Sequence, residues 1–327
     1  MPQASSNPPH ERLRPIASRQ NSLVKDLRKA FTQATPADDG SIAIEGVKLV
    51  EEAIRSGLRL RAVFFSESAR ERANRLLPQL GRAIETILLP DDIFHSAVAT
   101  ETPQGVAALV HPLVSSLEDL FRPPAPAAGS NALPVSASLA TQLGADQLTS
   151  GGPHLRRDFR RKCGEDAALS PTVPLVSNPL ILGCAGLQDP GNLGTILRSA
   201  EAFGASGVLT TEGTVSTANP KVARASAGSV FRLPVVKLST AEALDAIATH
   251  CVRLAVTSSH QGRPVQEIDL TLPTAIFIGS EGHGVPRALL DRADEAILIP
   301  HSPKVESLNA AIAASILLYE AQRQRSR

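Results

Sequence analysis

Ser307 and Asn309 stand at the mouth of a segment, Ala310 to Glu320, that is apolar on nearly every side. Polar side chains in such a place are costly unless they are hydrogen-bonded or used by a ligand. Just before them, Ile299-Pro300 ends a strand pattern and His301 to Glu306 make a polar loop. This loop is therefore a candidate wall of a ligand site. A second cluster, Gln188-Asp189-Pro190-Gly191-Asn192-Leu193-Gly194-Thr195-Ile196-Leu197-Arg198, joins a strand to a helix. Leu193, Ile196, Leu197 and Ala200 form one apolar stripe, with Arg198 well off it. Gly191 and Gly194 permit close backbone approach, and the helix N-terminus there suits an anion. Taken alone, the same residues make an ordinary Asp-Pro-Gly turn followed by a surface arginine. A third cluster, Phe277 to Pro286, sets Gly279, Gly282 and Gly284 around Glu281 and His283. It leaves bare backbone for a ligand, yet it is neither the GxGxxG dinucleotide fingerprint nor a P-loop. His283 is a loop histidine rather than a base, and His301 is a loop histidine or a ligand contact.

The elements that must position these clusters show in the hydrophobic pattern. From residue 180 onward, Leu180–Cys184, Gly207–Thr211, Arg253–Thr257, Ala275–Ile278 and Ala296–Ile299 are near-continuous apolar runs of strand length. Helical stretches separate them at Asn192–Phe203, Ala241–His250, Pro286–Arg292 and Leu308–Arg323. Alternation of buried strands with helices predicts a parallel sheet covered on both faces. The helix after Asn309 is apolar on too many faces for a surface helix, so it can bury one side in its own core and the other against a partner. The region from about Arg14 to Pro112 also alternates. Helices are expected at Ser22–Phe31, Val47–Ser56 and Ala69–Leu80, and strands at Ser41–Gly46, Leu60–Phe65, Glu85–Leu89 and Gly105–Val110. Between the two regions lies a Pro-, Ser-, Gly- and Ala-rich stretch with little periodicity, a composition expected to be flexible. It contains the basic run Arg156–Lys162, which is either a solvated charge run or a mobile arm that touches phosphates. The expected division is residues 14–115, a linker at 116–178, and residues 179–327.

Composition narrows the function classes. The chain has 327 residues, 43% hydrophobic and 20% charged, with 33 basic against 32 acidic side chains. That balance gives no bulk attraction for a polyanion, so any nucleic-acid surface must come from local clustering. Nine Phe, one Tyr and no Trp make an aromatic base-stacking platform a poor expectation. Cys163, Cys184 and Cys251 are far apart and outside any CxxC pair, so neither a metal site nor a disulfide framework is expected. No secretory signal or membrane-length apolar run is visible, and a cytoplasmic protein is expected.

Taken in order, the three clusters resemble the SpoU (TrmH-type) branch of the SPOUT methyltransferases. The Asp189-Pro190-x-Asn192-x-Gly194-x-Ile196-x-Arg198 run with Ala202-Phe203-Gly204 looks like the first family motif. Gly279-Ser280-Glu281-Gly282-x-Gly284 looks like the second, and Ile299-Pro300 through Ser307-Leu308-Asn309 with Ala313-Ala314 like the third. Asn219-Pro220-Lys221-Val222-x-Arg224-Ala225-Ser226-Ala227-Gly228 matches a further recurrent segment. Ser18–Asn21 and Glu45–Ala53 are similar to the accessory substrate-binding domain, which has an L30e-like α/β fold. His301 and the Pro303-Lys304 pair depart from the usual Met and Gly, and Ala310-Ala311 from the usual Val-Ser.

The resemblance implies a C-terminal parallel-sheet α/β domain with a deep trefoil knot, preceded by the smaller L30e-like domain. It implies S-adenosyl-L-methionine as cofactor, no metal, and transfer of its methyl to a ribose 2′-hydroxyl of RNA. The target class is a 23S rRNA guanosine, with tRNA as the alternative. Rivals are a non-catalytic RNA-binding or ribosome-assembly relative and a nucleotide-binding oxidoreductase; the latter lacks its fingerprint. Carried over residue by residue, Arg198, Asn192, Glu281, Ser307 and Asn309 make the catalytic set. Thr257, Ser258, Gly279, Ile299 and Leu308 hold the cofactor, and Arg19, Lys48, Lys221 and Arg224 meet RNA. The family also implies a homodimer through the C-terminal domain, with an active site spanning both subunits.

Overall fold

The computed structural model describes residues 12–98, 100–122 and 178–326. The expected basic run 156–162, Cys163 and most of the expected linker lie outside the described residues. Five strands form the first sheet: β1 Arg14–Pro15, β2 Ile42–Glu45, β3 Arg59–Ser66, β4 Glu85–Leu89 and β5 Val106–His111. Their order is β1-β4-β3-β5-β2, parallel from β1 to β3 and antiparallel where β5 meets β3 and β2. Side chains alternate across each strand and so feed two cores. Phe64, Ile87 and Leu109 point to one face with Leu27 and Phe31 of helix Ser22–Gln33. Val63, Phe65 and Val110 point to the other with Leu49, Val50 and Ala53 of helix Val47–Arg55.

The second sheet has seven strands: β6 Leu180–Ala185, β7 Gly207–Thr210, β8 Val235–Lys237, β9 Arg253–Ser258, β10 Arg263–Pro264, β11 Thr274–Gly279 and β12 Glu295–Leu298. Every pairing is parallel, in the order β10-β12-β9-β11-β6-β7-β8. The expected parallel sheet is present, and its residues again alternate. Leu182, Cys184, Ile276 and Ile278 pack with helices Pro190–Ala202 and Ala310–Arg325 on one face. Ile181, Ala275 and Phe277 pack with helix Thr240–Thr249 on the other. The chain runs outward from β6 to β8, then crosses back to β9, and β11 later fills the space between β6 and β9. The C-terminal strand ends around that reversal are where open α/β sheets bind ligands.

Several short elements differ from the sequence expectation. Helices Asp91–Ala97 and Pro220–Ala225 and the edge strands β8 and β10 are too short to set up a periodic pattern. The expected helix over Ala69–Leu80 is broken, with regular α-helix only at Arg70–Leu76 and tighter turns on either side. The first residues of the expected linker are structured: Ser116 and Asp119 make a reciprocal N-terminal cap, and Leu120 is fully buried in the second sheet's core.

The C-terminal helix begins at Ala310 rather than Leu308, because Asn309 is its cap. Asn309 Oδ1 accepts from the backbone N–H groups of Ala311 at 3.0 Å and Ile312 at 3.3 Å. One side of the helix buries Ala310, Ala314, Leu317, Leu318 and Ala321. Its far end is pinned: Arg325 donates to the carbonyls of Leu270 at 2.8 Å and Leu272 at 2.9 Å. Burial, and then the nearby Arg253 charge, push Arg325 down to about 10. Leu317 is completely buried in the core beneath β6 and β11. Leu317→Ala is expected to lower the unfolding free energy by about 2–5 kcal/mol. A urea titration with unchanged slope checks this; a loss below about 0.5 kcal/mol would show that the core does not rest on this helix.

Candidate active site

Three loops meet beyond the strand ends. The loop after β6 starts helix Pro190–Ala202, whose first turn is capped by Asp189, which accepts from Asn192 N–H at 2.7 Å. The carboxylate thus occupies the anion position expected at this N-terminus. Gly194 serves packing: a Cβ there would lie 2.5 Å from Ala225 Cβ and 2.7 Å from the Val222 carbonyl oxygen. The loop after β11 folds back on itself, with Gly284 N–H donating to the Ser280 carbonyl at 2.9 Å. A Cβ on Gly279 would fall 1.9 Å from the Gly284 carbonyl carbon. Gly279 is therefore required by its own loop before any ligand enters.

The third loop delivers Asn309, and with it a closed amide–carboxylate network. Asn309 Nδ2 donates to Asn192 Oδ1 at 3.0 Å and to Glu281 Oε1 at 2.9 Å. Asn192 Nδ2 donates to the same Glu281 oxygen at 2.9 Å. The helix cap fixes which way both amides point. Asn309 Oδ1 faces backbone donors, so its nitrogen must face acceptors, and Asn192 turns to match. Glu281 Oε2 has no hydrogen bond among the described residues and is left open.

Two clefts share the 280–284 loop as a partition. The first encloses 410 Å³ at the ends of β9, β11 and β12. Thr257, Ser258, Gly279, Glu281, Ile299, Ser307 and Leu308 all line it, together with His260, His301 and Glu306. The second, of 500 Å³, has Gln188, Asp189 and Asn192 on its other wall. Either volume suits a nucleoside-sized ligand. The first cleft sets apolar Ile278, Ile299, Leu308 and Ala313 beside the Thr257 and Ser258 hydroxyls and strand-end backbone. That mixture fits a flat heterocycle joined to a polar chain, and so fits S-adenosylmethionine.

These geometries now stand beside known proteins. A model of the SpoU rRNA methylase family matches residues 179–319, and one of an MRM3-like substrate-binding domain matches residues 21–108. An uncharacterized tRNA/rRNA methyltransferase of Synechocystis is 31% identical over 95% of this chain and 94% of its own length. The chain belongs to the SpoU rRNA methylase family. Another relative, the 23S rRNA (guanosine(2553)-2′-O)-methyltransferase RlmP of Bacillus subtilis, is 28% identical over 94% of this chain and 98% of its own. Among solved structures, an RNA 2′-O ribose methyltransferase matches with TM-score 0.65 at 27% identity, over 96% of this chain and all of that one (100%). The SpoU methyltransferase AviRb of Streptomyces viridochromogenes, in complex with AdoMet, matches with TM-score 0.69 at 24% identity, covering 94% and 99%.

Within this SpoU family fold the expected residues separate into groups. Asn192, Glu281 and Asn309 touch one another, and the five expected cofactor residues share one cleft. Arg198 is exposed, lines neither cleft and has no ion pair or hydrogen bond among the described residues. Six residues at 100° each carry it roughly 120° around the helix from Asn192. Arg19 pairs with Asp92 at 2.7 Å, Lys48 lines a separate cleft between the two sheet units, and Lys221 is exposed. Arg224 is ion-paired to Glu45 at 3.1 Å. His260 escaped sequence reasoning because only the meeting of strand ends places it at the cleft, whereas His301 and Glu306 lie in the loop expected to wall it. Among the described residues no cluster could hold a metal ion, and no helix is long and apolar enough to cross a membrane.

Asn309 carries two loads that substitution can separate. Asn309→Ala removes cap and network together and is expected to cost about 1 kcal/mol of stability as well as activity. Asn309→Asp keeps the capping oxygen but sets a carboxylate against Glu281 Oε1. It should melt within a few degrees of the parent while methyl transfer falls on the order of 100-fold. Full activity in Asn309→Asp would remove the network from the chemistry.

Proposed function

We propose that this protein methylates a ribose 2′-hydroxyl of ribosomal RNA, with a 23S rRNA guanosine as target. It is an S-adenosylmethionine-dependent RNA methyltransferase. The observation that carries the reading is the partition: Glu281, held by two amides, stands between a cofactor-sized cleft and a second cleft. Thr257, Ser258, Gly279, Ile299 and Leu308 hold the cofactor, which supplies an electrophilic methyl on sulfonium. The target ribose enters from the side of Asn192. Asn192, Ser307 and Asn309 orient it, and the open Glu281 Oε2 is placed to accept a hydrogen bond from its hydroxyl. The trefoil knot implied by the family resemblance belongs to this reading; residues of the loop after β12 lining one cleft with the ends of β9 and β11 support it.

Arg198 completes the site from a partner copy. A free guanidinium is too weak an acid to serve as base, so Arg198 holds the RNA phosphate and the developing alkoxide. Support comes from its helix, which packs on the C-terminal helix through a Ser199–Ser315 hydrogen bond at 2.7 Å and a Phe203–Tyr319 edge contact. Beside them, Ile312, Ile316 and Tyr319 form an outward stripe, 55%, 37% and 56% exposed. These three recur at helical spacing, and an apolar stripe of this kind suits a second copy of the chain. A homodimer built there brings Arg198 toward the partner's clefts. Lys221 and Arg19 remain as RNA contacts on the outer surface and Lys48 in the cleft between the units, and a ribosomal substrate locates the protein in the cytoplasm.

The deciding experiment is transfer of labelled methyl to 23S rRNA and to tRNA, with the modified nucleoside identified. Guanosine 2′-O-methylation in 23S rRNA is expected. Label in tRNA alone moves the substrate, and no label in any RNA leaves a binding protein. Arg198→Lys keeps the charge and loses the fork, so turnover should fall on the order of 10- to 100-fold; near-normal turnover sinks the assigned role. Ile316→Glu should convert a dimer into a monomer by light scattering and abolish transfer with it; a parent that is already monomeric removes the shared site.

A further inference from the structure

Arg224 looks from the sequence like an RNA contact, and its surroundings say otherwise. It leaves helix Pro220–Ala225 and reaches the first sheet unit, donating to Glu45 Oε2 at 3.1 Å and Thr100 Oγ1 at 3.0 Å. The Glu45 side chain is only 3% exposed. Its other oxygen accepts from Gln104 N–H at 3.1 Å, and Thr100 Oγ1 donates to Oε2. Arg224 is the only cation paired with this carboxylate among the described residues. A buried carboxylate that loses its only cation is strongly destabilising. Arg224, whose side chain is half exposed, would leave Glu45 buried without a cation if it swung to an RNA phosphate.

The neighbouring contacts show what the pair fixes. Ala218, Ala223 and Phe231, from the same stretch of chain, are buried in the core of the first sheet unit. Arg232 bridges Glu52 of that unit to Glu201, donating to Glu201 Oε2 at 2.8 Å. Glu201 lies on helix Pro190–Ala202, the helix that begins with Asn192 and carries Arg198. Helix Pro220–Ala225 packs on the same helix at Gly194, where no Cβ would fit. The substrate-binding unit is thus fastened to the helix that bears the chemistry, with Glu45–Arg224 at one point and Glu52–Arg232–Glu201 at another.

We propose that Arg224 is a positioning residue, a clamp on Glu45 that sets the RNA-binding unit against the catalytic helix, and not a phosphate contact. This rests on the function proposed above. Its test compares Arg224→Met, Glu45→Gln, the double variant and Arg224→Lys in the full chain. Each single change should lower kcat/KM for RNA on the order of tenfold while cofactor affinity stays within about twofold. The double variant should be no worse than the poorer single within about twofold, the mark of one shared interaction. Arg224→Lys should recover part of the loss. The salt slope of RNA binding should match the parent in every variant. A slope shallower by about one in Arg224→Met, with Glu45→Gln normal, overturns the clamp and makes Arg224 a phosphate contact. The same cycle measured by urea unfolding needs no RNA; additive effects there overturn the clamp. A parent that methylates no RNA overturns only the proposed function.

Discussion

The side-chain amide of Asn309 ties the site to the fold. Its oxygen is bonded to the first turn of the C-terminal helix and its nitrogen to Asn192 and Glu281. Those partners stand 117 and 28 residues away in sequence. The amide can point only one way, because backbone donors claim its oxygen. The helix it caps is held in the core by Leu317 and Leu318 and pinned at its far end by Arg325. Positional precision at Glu281 thus descends from apolar burial some turns away, relayed through one cap.

The parallel sheet explains why the loops meet at all. Parallel strands send all their C-terminal ends to one edge, and helices must cover both faces to return the chain. The reversal between β6 and β9, filled by β11, gathers three strand ends there. What the glycines do is then local. Gly279 is needed because its loop turns back over it, and Gly194 because a second helix lies against it. Bare backbone at the cleft is a consequence of these contacts, and it is available to a ligand for that reason.

The same helix links the candidate site to the first sheet unit. Helix Pro190–Ala202 carries Asn192 at its start and Glu201 near its end, and Ala218, Ala223 and Phe231 of the neighbouring segment are buried in the other unit's core. The first sheet unit is therefore fastened to the helix that begins with Asn192. Two carboxylates of that unit, Glu45 and Glu52, meet arginines of the catalytic unit, so the junction is specified by charge as well as by packing.

Periodicity alone determined the long elements, since an apolar strand or a striped helix has few other ways to bury its surface. Motif order then pointed to the family, and the residues quoted for it, Asn192, Glu281 and Asn309, do meet. Short pieces such as Asp91–Ala97, β8 and β10 were not legible, because two to seven residues carry no period and are held by neighbours. Charge alone likewise does not separate such residues. Arg224 and Lys221 look alike in sequence, and only tertiary structure gives one a buried carboxylate and leaves the other in solvent. The sequence by itself determined which loops hold the candidate groups and that a parallel sheet would carry them. Tertiary structure decided which oxygen each amide faces, which arginine is committed and where two clefts share a wall, because these depend on partners far away along the chain.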